Sequence, residues 1–215
     1  MNLFSKQDSN NENDIVMPED NPKNLHHEQE NPIVEIIRFS VIALLIVIPI
    51  RMFIAQPFIV SGASMEETFH TGEYLIIDQV SYHLQNPERG DVIVFRYPKD
   101  PSKFFIKRII GLPGETVTIE GSTVSIHNET NPNGFFLDEF YIKSMENENF
   151  LTEELGPREY FVMGDNRDKS SDSRIWGVLQ EERIIGRAFL RLFPPKELDV
   201  FPGAIEQDDI IINQQ

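Results

Sequence analysis

The run PIVEIIRFSVIALLIVIPIRMFIAQPFIV, from Pro32 to Val60, restricts the fold of this chain more than any other segment. Its uncharged centre, Phe39 to Ile50, is about 18 Å long at helical rise, too short to span a bilayer alone. With Arg38 and Arg51 snorkelling to headgroups, a helix from Ile33 to Ile54 reaches roughly 33 Å, close to a hydrocarbon core of ~30 Å. The apolar residues keep no 3.6-residue period and occupy every face, so the segment reads as a membrane anchor rather than a helix packed on one core. A cleavable leader fits less well, because the preceding region is long and acidic rather than short and basic. Lys23 and Arg38 on the amino side outnumber Arg51 on the other, which favours an inside amino terminus and an outward-facing remainder.

The anchor, taken as residues 33–56, divides the chain. Residues 1–32 carry Asp8, Glu12, Asp14, Glu19, Asp20, Glu28 and Glu30 against Lys6 and Lys23, with few apolar residues, and read as a disordered acidic tail. His26 and His27 lie in that tail and receive no role. The whole chain of 215 residues has formal net charge −16 and no basic stripe, so a nucleic-acid partner is not expected. With Cys 0, disulfide staples, thiol nucleophiles and thiolate metal sites are excluded.

Past Val60 the period changes to two. EYLIIDQV, DVIVFRYP, FFIKRII, ETVTIEGSTVSIH, EYFVMGD and IIGRAFLRLF are separated by Gly, Pro and Asn/Asp clusters. The fold class is therefore mainly β: an antiparallel barrel or folded sheet over residues 57–203, preceded by one transmembrane helix. Residues 128–157, with the NPNG turn, read as a hairpin-bearing or loop insertion, and residues 204–215 as a loosely held tail.

Three runs could carry chemistry. V-S-G-A-S-M-E-E-T-F places Ser61, Gly62, Ala63 and Ser64 directly after the apolar run; small neighbours suit a nucleophile approached by an extended chain, and equally suit a plain turn. A serine needs a base. His70, His83 and His127 stand in no recognisable frame, and the pattern G-x-S-x-G fails at Glu66. Lys107 is the alternative: in Phe104 to Ile110 the strand period puts it on one face with Phe105 and Ile109, and Arg108 on the other with Ile106 and Ile110. A lysine desolvated on an apolar face loses its proton near neutral pH, whereas one on a solvent-facing edge strand does not. The third run, Gly164 to Arg174, is either a polar turn or a buried network that holds a catalytic group. Its repeat of Asp165, Asp168 and Asp172 lacks the spacing and closing Glu of a calcium loop, so no metal is expected.

Taken in order, these segments resemble bacterial type I signal peptidases, or leader peptidases, which are membrane-anchored serine-lysine endopeptidases. S-G-A-S-M-E-E-T-F is similar to the family's nucleophile box, G-E-Y-L-I-I-D and R-G-D-V-I-V-F to its next strands, K-R-I-I-G-L-P-G-E to its lysine box and M-G-D-N-R-D-K-S-S-D-S-R-I-W-G to its closing box. The resemblance covers Ile33 to Leu192.

It implies that Ser64 is the nucleophile and Lys107 the general base, that Ser170 holds the lysine amine by a hydrogen bond, and that Asp172 pairs with Arg174 and also with Arg108. It implies that Met65 lines the cleft, that no cofactor is needed, and that the partners are secretory preproteins and membrane lipid. Small residues at the first and third positions before the cut, the A-x-A pattern, are the implied substrate signature. The chain departs from the family at two places. Gly62 stands where some members have a hydroxyl for the oxyanion, and Glu67 stands at the usual proline, which should free the backbone after the nucleophile. Two other readings are a non-catalytic anchored β module that binds exported chains and a self-cleaving serine-lysine protease; the second normally carries a DNA-binding domain, for which no segment is present.

Overall fold

The computed structural model describes residues 31–49, 55–142, 150–205, 209, 211 and 212. The acidic segment 1–30, with His26 and His27, and Arg51 lie outside the described residues.

Helix α1 runs Pro32–Pro49. Asn31 caps it, its side-chain oxygen accepting the Ile33 N–H at 3.1 Å, and Pro32 takes the first helical position, where the missing N–H costs nothing. The helix has mean hydropathy 2.2 and none of its residues is buried, so by length and composition it can cross a membrane. It ends before the expected limit of residue 56, because Ala55 already pairs with Asp78 in a strand.

The strands are β1 (Ala55–Ile59), β2 (Tyr74–Asp78), β3 (Val92–Arg96), β4 (Phe104–Gly111), β5 (Thr116–Glu120), β6 (Thr123–His127), β7 (Phe135–Leu137), β8 (Phe150–Glu154), β9 (Glu159–Met163), β10 (Leu179–Gln180), β11 (Ile184–Phe193), β12 (Asp199–Val200) and β13 (Ile211–Ile212). They make two antiparallel sheets. The larger runs β1-β2-β11-β3-β4-β9-β10 with β12 beside β11, and the smaller runs β13-β7-β6-β5-β8. Pro57 is tolerated in β1 because that strand is the sheet edge.

The period-two patterning becomes three cores. Along β3, Val92 and Val94 enter one core with Val60, Met65, Phe69, Leu75 and Ile77, while Ile93 and Phe95 face the other with Ile109, Tyr160 and Val162. The third core lies between the sheets, where Ile110, Phe161 and Met163 meet Val117, Ile119, Val124 and Ile126. β4 therefore has both faces covered, which explains its continuous burial from Lys107 to Gly111.

Two expectations from the sequence change here. Residues 128–157, expected as a hairpin-bearing or loop insertion, contribute β7 and β8 to a sheet that also holds β5 and β6 from earlier in the chain. The segment 204–215 is not wholly a loose tail, because Ile211 and Ile212 pair with Leu137 and Phe136. Short apolar pieces flanked by acids give little local signal, and pairing to a distant strand decides their state.

Candidate active site

Ser64 lies in a tight turn between β1 and β2, with Glu66 N–H bonded to Ala63 O and Phe69 N–H to Met65 O. Val60, Met65 and Phe69 are buried on either side of it, so three apolar anchors hold a short polar segment at the surface of the core. Its carbonyl oxygen accepts Asn166 N–H at 3.1 Å, tying the nucleophile segment to the loop after β9.

Lys107 reaches the same place from β4. It is 3% exposed, and its Nζ donates to Ser64 Oγ at 2.7 Å and to the Ile106 carbonyl at 2.7 Å. The Phe105 ring centroid is 5.3 Å from Nζ. Burial pushes the Lys107 amine down to about 8, against the opposing pull of the Asp172 and Asp165 carboxylates. When the amine is neutral the contact can reverse, with Ser64 O–H donating to the nitrogen lone pair. Both groups line a cleft of about 270 Å³ whose walls include Phe58, Val60, Leu75, Val94, Phe104 and Ile106. Among the described residues no histidine lines this cleft, and His70 and His83 are exposed.

Arg108 turns to the opposite face of β4 and is 1% exposed. Its expected partner was Asp172, but it forks onto Asp165, through Nε at 2.9 Å and Nη2 at 2.6 Å. Asp165 also accepts Thr68 Oγ1 at 2.5 Å, and its N–H meets Met65 Sδ at 3.4 Å. The sequence places Asp165 in the polar run Gly164 to Arg174 without marking it as the partner of Arg108. A guanidinium placed between Ile106 and Ile110 was the available signal, because such a group needs a buried carboxylate.

Asp172 is fully buried and caps α2 (Ser173–Trp176); it pairs with Arg174 Nε at 2.8 Å and accepts Gly164 N–H at 3.1 Å. Arg174 also donates to the Arg167 carbonyl at 2.7 Å. Arg167 is held in turn by Glu139, a residue the sequence reading did not single out, so the second sheet's connection braces the loop. Gly62 lines the cleft with φ +101.

Two placements differ from expectation. Met65 does not line the cleft; it is 1% exposed in the apolar core, since the turn at Ser64 sends consecutive side chains in opposite directions. Ser170 Oγ is buried without a hydrogen-bond partner among the described residues, so the expected bond to Lys107 is not made; the amine bonds Ser64 and Ile106 instead. At Glu67 the φ is +84, a conformation closed to proline, whose ring fixes φ near −65°. The backbone there is held in a specific strained turn rather than simply released.

His70, Glu73 and Glu197 bring ligand-type atoms within 4.8 Å of one another. Arg191 stands 3.4 Å from both carboxylates and supplies their counter-charge, so the group needs no cation.

Known proteins are similar to this chain over most of its length. Residues 33–193 match the family described as signal peptidase, peptidase S26. A probable signal peptidase I-2 of Synechocystis sp. is 36% identical, covering 86% of this chain and 85% of the relative. A signal peptidase I of Leptolyngbya laminosa is 37% identical over 79% of this chain and 84% of its own. Signal peptidase I T of Bacillus subtilis is 36% identical over 74% and 84%. The serine and lysine that meet in the cleft thus sit in a chain that belongs to the signal peptidase family, peptidase S26.

Proposed function

We propose that this chain is a membrane-anchored serine endopeptidase that removes signal peptides from exported preproteins after an A-x-A-like site, with Ser64 as nucleophile and Lys107 as general base. The observation that carries the reading is the 2.7 Å contact between Lys107 Nζ and Ser64 Oγ on the wall of an apolar cleft.

Neutral Lys107 removes the Ser64 hydroxyl proton as the oxygen attacks the scissile carbonyl. The ammonium so formed returns its proton to the departing amine, leaving an ester on Ser64. Water, deprotonated by the same amine, then opens that ester. The Ser64 backbone N–H is one donor to the developing oxyanion; residue 62 is a glycine and adds no hydroxyl. Asp172 and Asp165 pull the amine back toward its charged form, so the same network that positions Lys107 keeps its basicity from falling further.

An extended preprotein segment fits this cleft as an added strand beside β1 and β4, its small side chains entering the apolar walls. The catalytic portion belongs on the extracytoplasmic side by the basic-residue balance around α1. Exposed Ile59, Tyr74, Phe104 and Phe193 form apolar surface that suits contact with membrane lipid.

The test is processing of a preprotein bearing an A-x-A site by detergent-solubilised protein. A discrete mature product that disappears with Ser64→Ala and with Lys107→Ala is the expected result. Stoichiometric binding without cleavage would reject the reading in favour of a non-catalytic module.

A further inference from the structure

The ladder between β1 and β2 does not stop where its backbone pairing stops. Ile59 lies opposite Tyr74; beyond it Val60 N–H donates to Glu73 O at 2.9 Å and Gly72 N–H to Val60 O at 2.9 Å. One step nearer the nucleophile a side chain takes over. The Thr71 hydroxyl accepts Gly62 N–H at 3.1 Å and donates to the Gly62 carbonyl at 3.1 Å. A single hydroxyl therefore holds both polar backbone groups of one residue.

Gly62 has little else to define it. It has φ +101 and is exposed, and a Cβ built on it would meet nothing within 4 Å. Neither its own side chain nor packing restricts the backbone, and glycine visits several conformations at small cost. Ala63 and Ser64 follow directly, so disorder at Gly62 would pass to the Ser64 amide.

We infer that Thr71 is a positioning residue for peptide-bond hydrolysis, acting through Gly62 to fix the backbone that presents the Ser64 N–H. This rests on the peptidase reading above. Backbone donors stabilise an oxyanion only when they are oriented before the charge develops, and a glycine two residues before the nucleophile needs an external constraint to supply that order. Thr71 touches no reacting atom. Its effect should fall on turnover rather than on docking of the preprotein.

The experiment measures cleavage of an A-x-A preprotein by the full-length protein in detergent, comparing wild type with Thr71→Val, Thr71→Ala and Thr71→Ser. Valine and alanine remove both hydrogen bonds, and serine keeps the hydroxyl. Thr71→Val and Thr71→Ala should lower kcat about tenfold. KM should stay within about twofold, and Thr71→Ser should restore kcat to within about twofold of wild type. The acid limb of the pH profile should not move, because Lys107 is untouched.

Unchanged kcat in both hydroxyl-free variants overturns the inference. So does a serine variant no better than valine, a loss confined to KM, or a kcat loss that only follows a fall in melting temperature. A wild-type protein that leaves the preprotein intact overturns the peptidase reading and this inference together, whereas an active wild type matched by Thr71→Val overturns this inference alone.

Discussion

Both oxygens of the Asp165 carboxylate are held by Arg108, Nε to Oδ1 at 2.9 Å and Nη2 to Oδ2 at 2.6 Å, with each side chain 1% exposed. Arg108 follows Lys107 on β4, and Asp165 lies in the loop that bonds Ser64 through Asn166. The ion pair therefore links the strand carrying the lysine to the loop holding the serine. Arg108 Nη1 also donates to Gly90 O at 2.8 Å and to Gly203 O at 2.5 Å, which extends the link to the turn before β3 and to the segment after β12.

Removing either partner leaves the other charge buried. Asp165→Asn and Arg108→Ala should each destabilise the protein by about 3–5 kcal/mol and reduce cleavage strongly. Denaturant unfolding of the detergent-solubilised protein measures this. A loss below about 1 kcal/mol would show that the link is dispensable.

Activity should require an uncharged Lys107. With the amine pushed down to about 8, the neutral fraction falls as pH drops below that value, so kcat/KM should decline about tenfold per pH unit on the acid side. A pH–rate profile flat from pH 6 to about 9 would contradict the assignment of Lys107 as base.

The same displacement that makes Lys107 a base costs stability while the amine is charged. The folded amine loses its proton near 8 and the unfolded one near 10.5, so between these values the unfolded state binds more protons. Stability should rise with pH across that window, and below it the penalty for burying the ammonium is fully present. Lys107→Met should abolish cleavage yet raise the melting temperature at pH 7 by about 2–4 °C, with the gain shrinking toward pH 10. A lower melting temperature for Lys107→Met would oppose burial as the cause.

A Cβ at Gly164 would overlap Ser170 Oγ and the carbonyl oxygen of Ser64. Gly164→Ala must displace one of them, and the Ser64 segment is the less covered. A fall in kcat of about a hundredfold is expected, with far less effect on substrate binding. Wild-type kcat in this variant would show that the loop has room to shift.

Glu67 holds φ +84 three residues after the nucleophile. Glu67→Gly should keep activity and stabilise by about 0.5–1 kcal/mol through relief of that conformation. Glu67→Pro, although it restores the residue usual in the family, should destabilise, since proline cannot adopt this φ. Higher stability of the proline variant in thermal unfolding would show that the turn can be rebuilt around it.

What was legible in the sequence was local. The apolar run, the change of period after Val60 and the ordered boxes identified α1, the strands from β2 to β6, β9 and β11, and the two residues that meet at 2.7 Å. Periodicity assigned Lys107 and Arg108 to opposite faces because consecutive side chains of any strand alternate. The resemblance pointed Arg108 to Asp172 rather than Asp165, because both lie in one polar run and the choice depends on how the loop after β9 folds back over β4. The resemblance also misplaced Met65 and Ser170, and turn signals misjudged the extent of the smaller sheet, for the same reason. Which way a turn throws its side chains, and which distant strand a short apolar piece joins, is settled by packing between segments far apart in the chain. Sequence supplied the reactive groups and their faces; only tertiary structure, through buried charge pairing and shared cores, determined what each group touches.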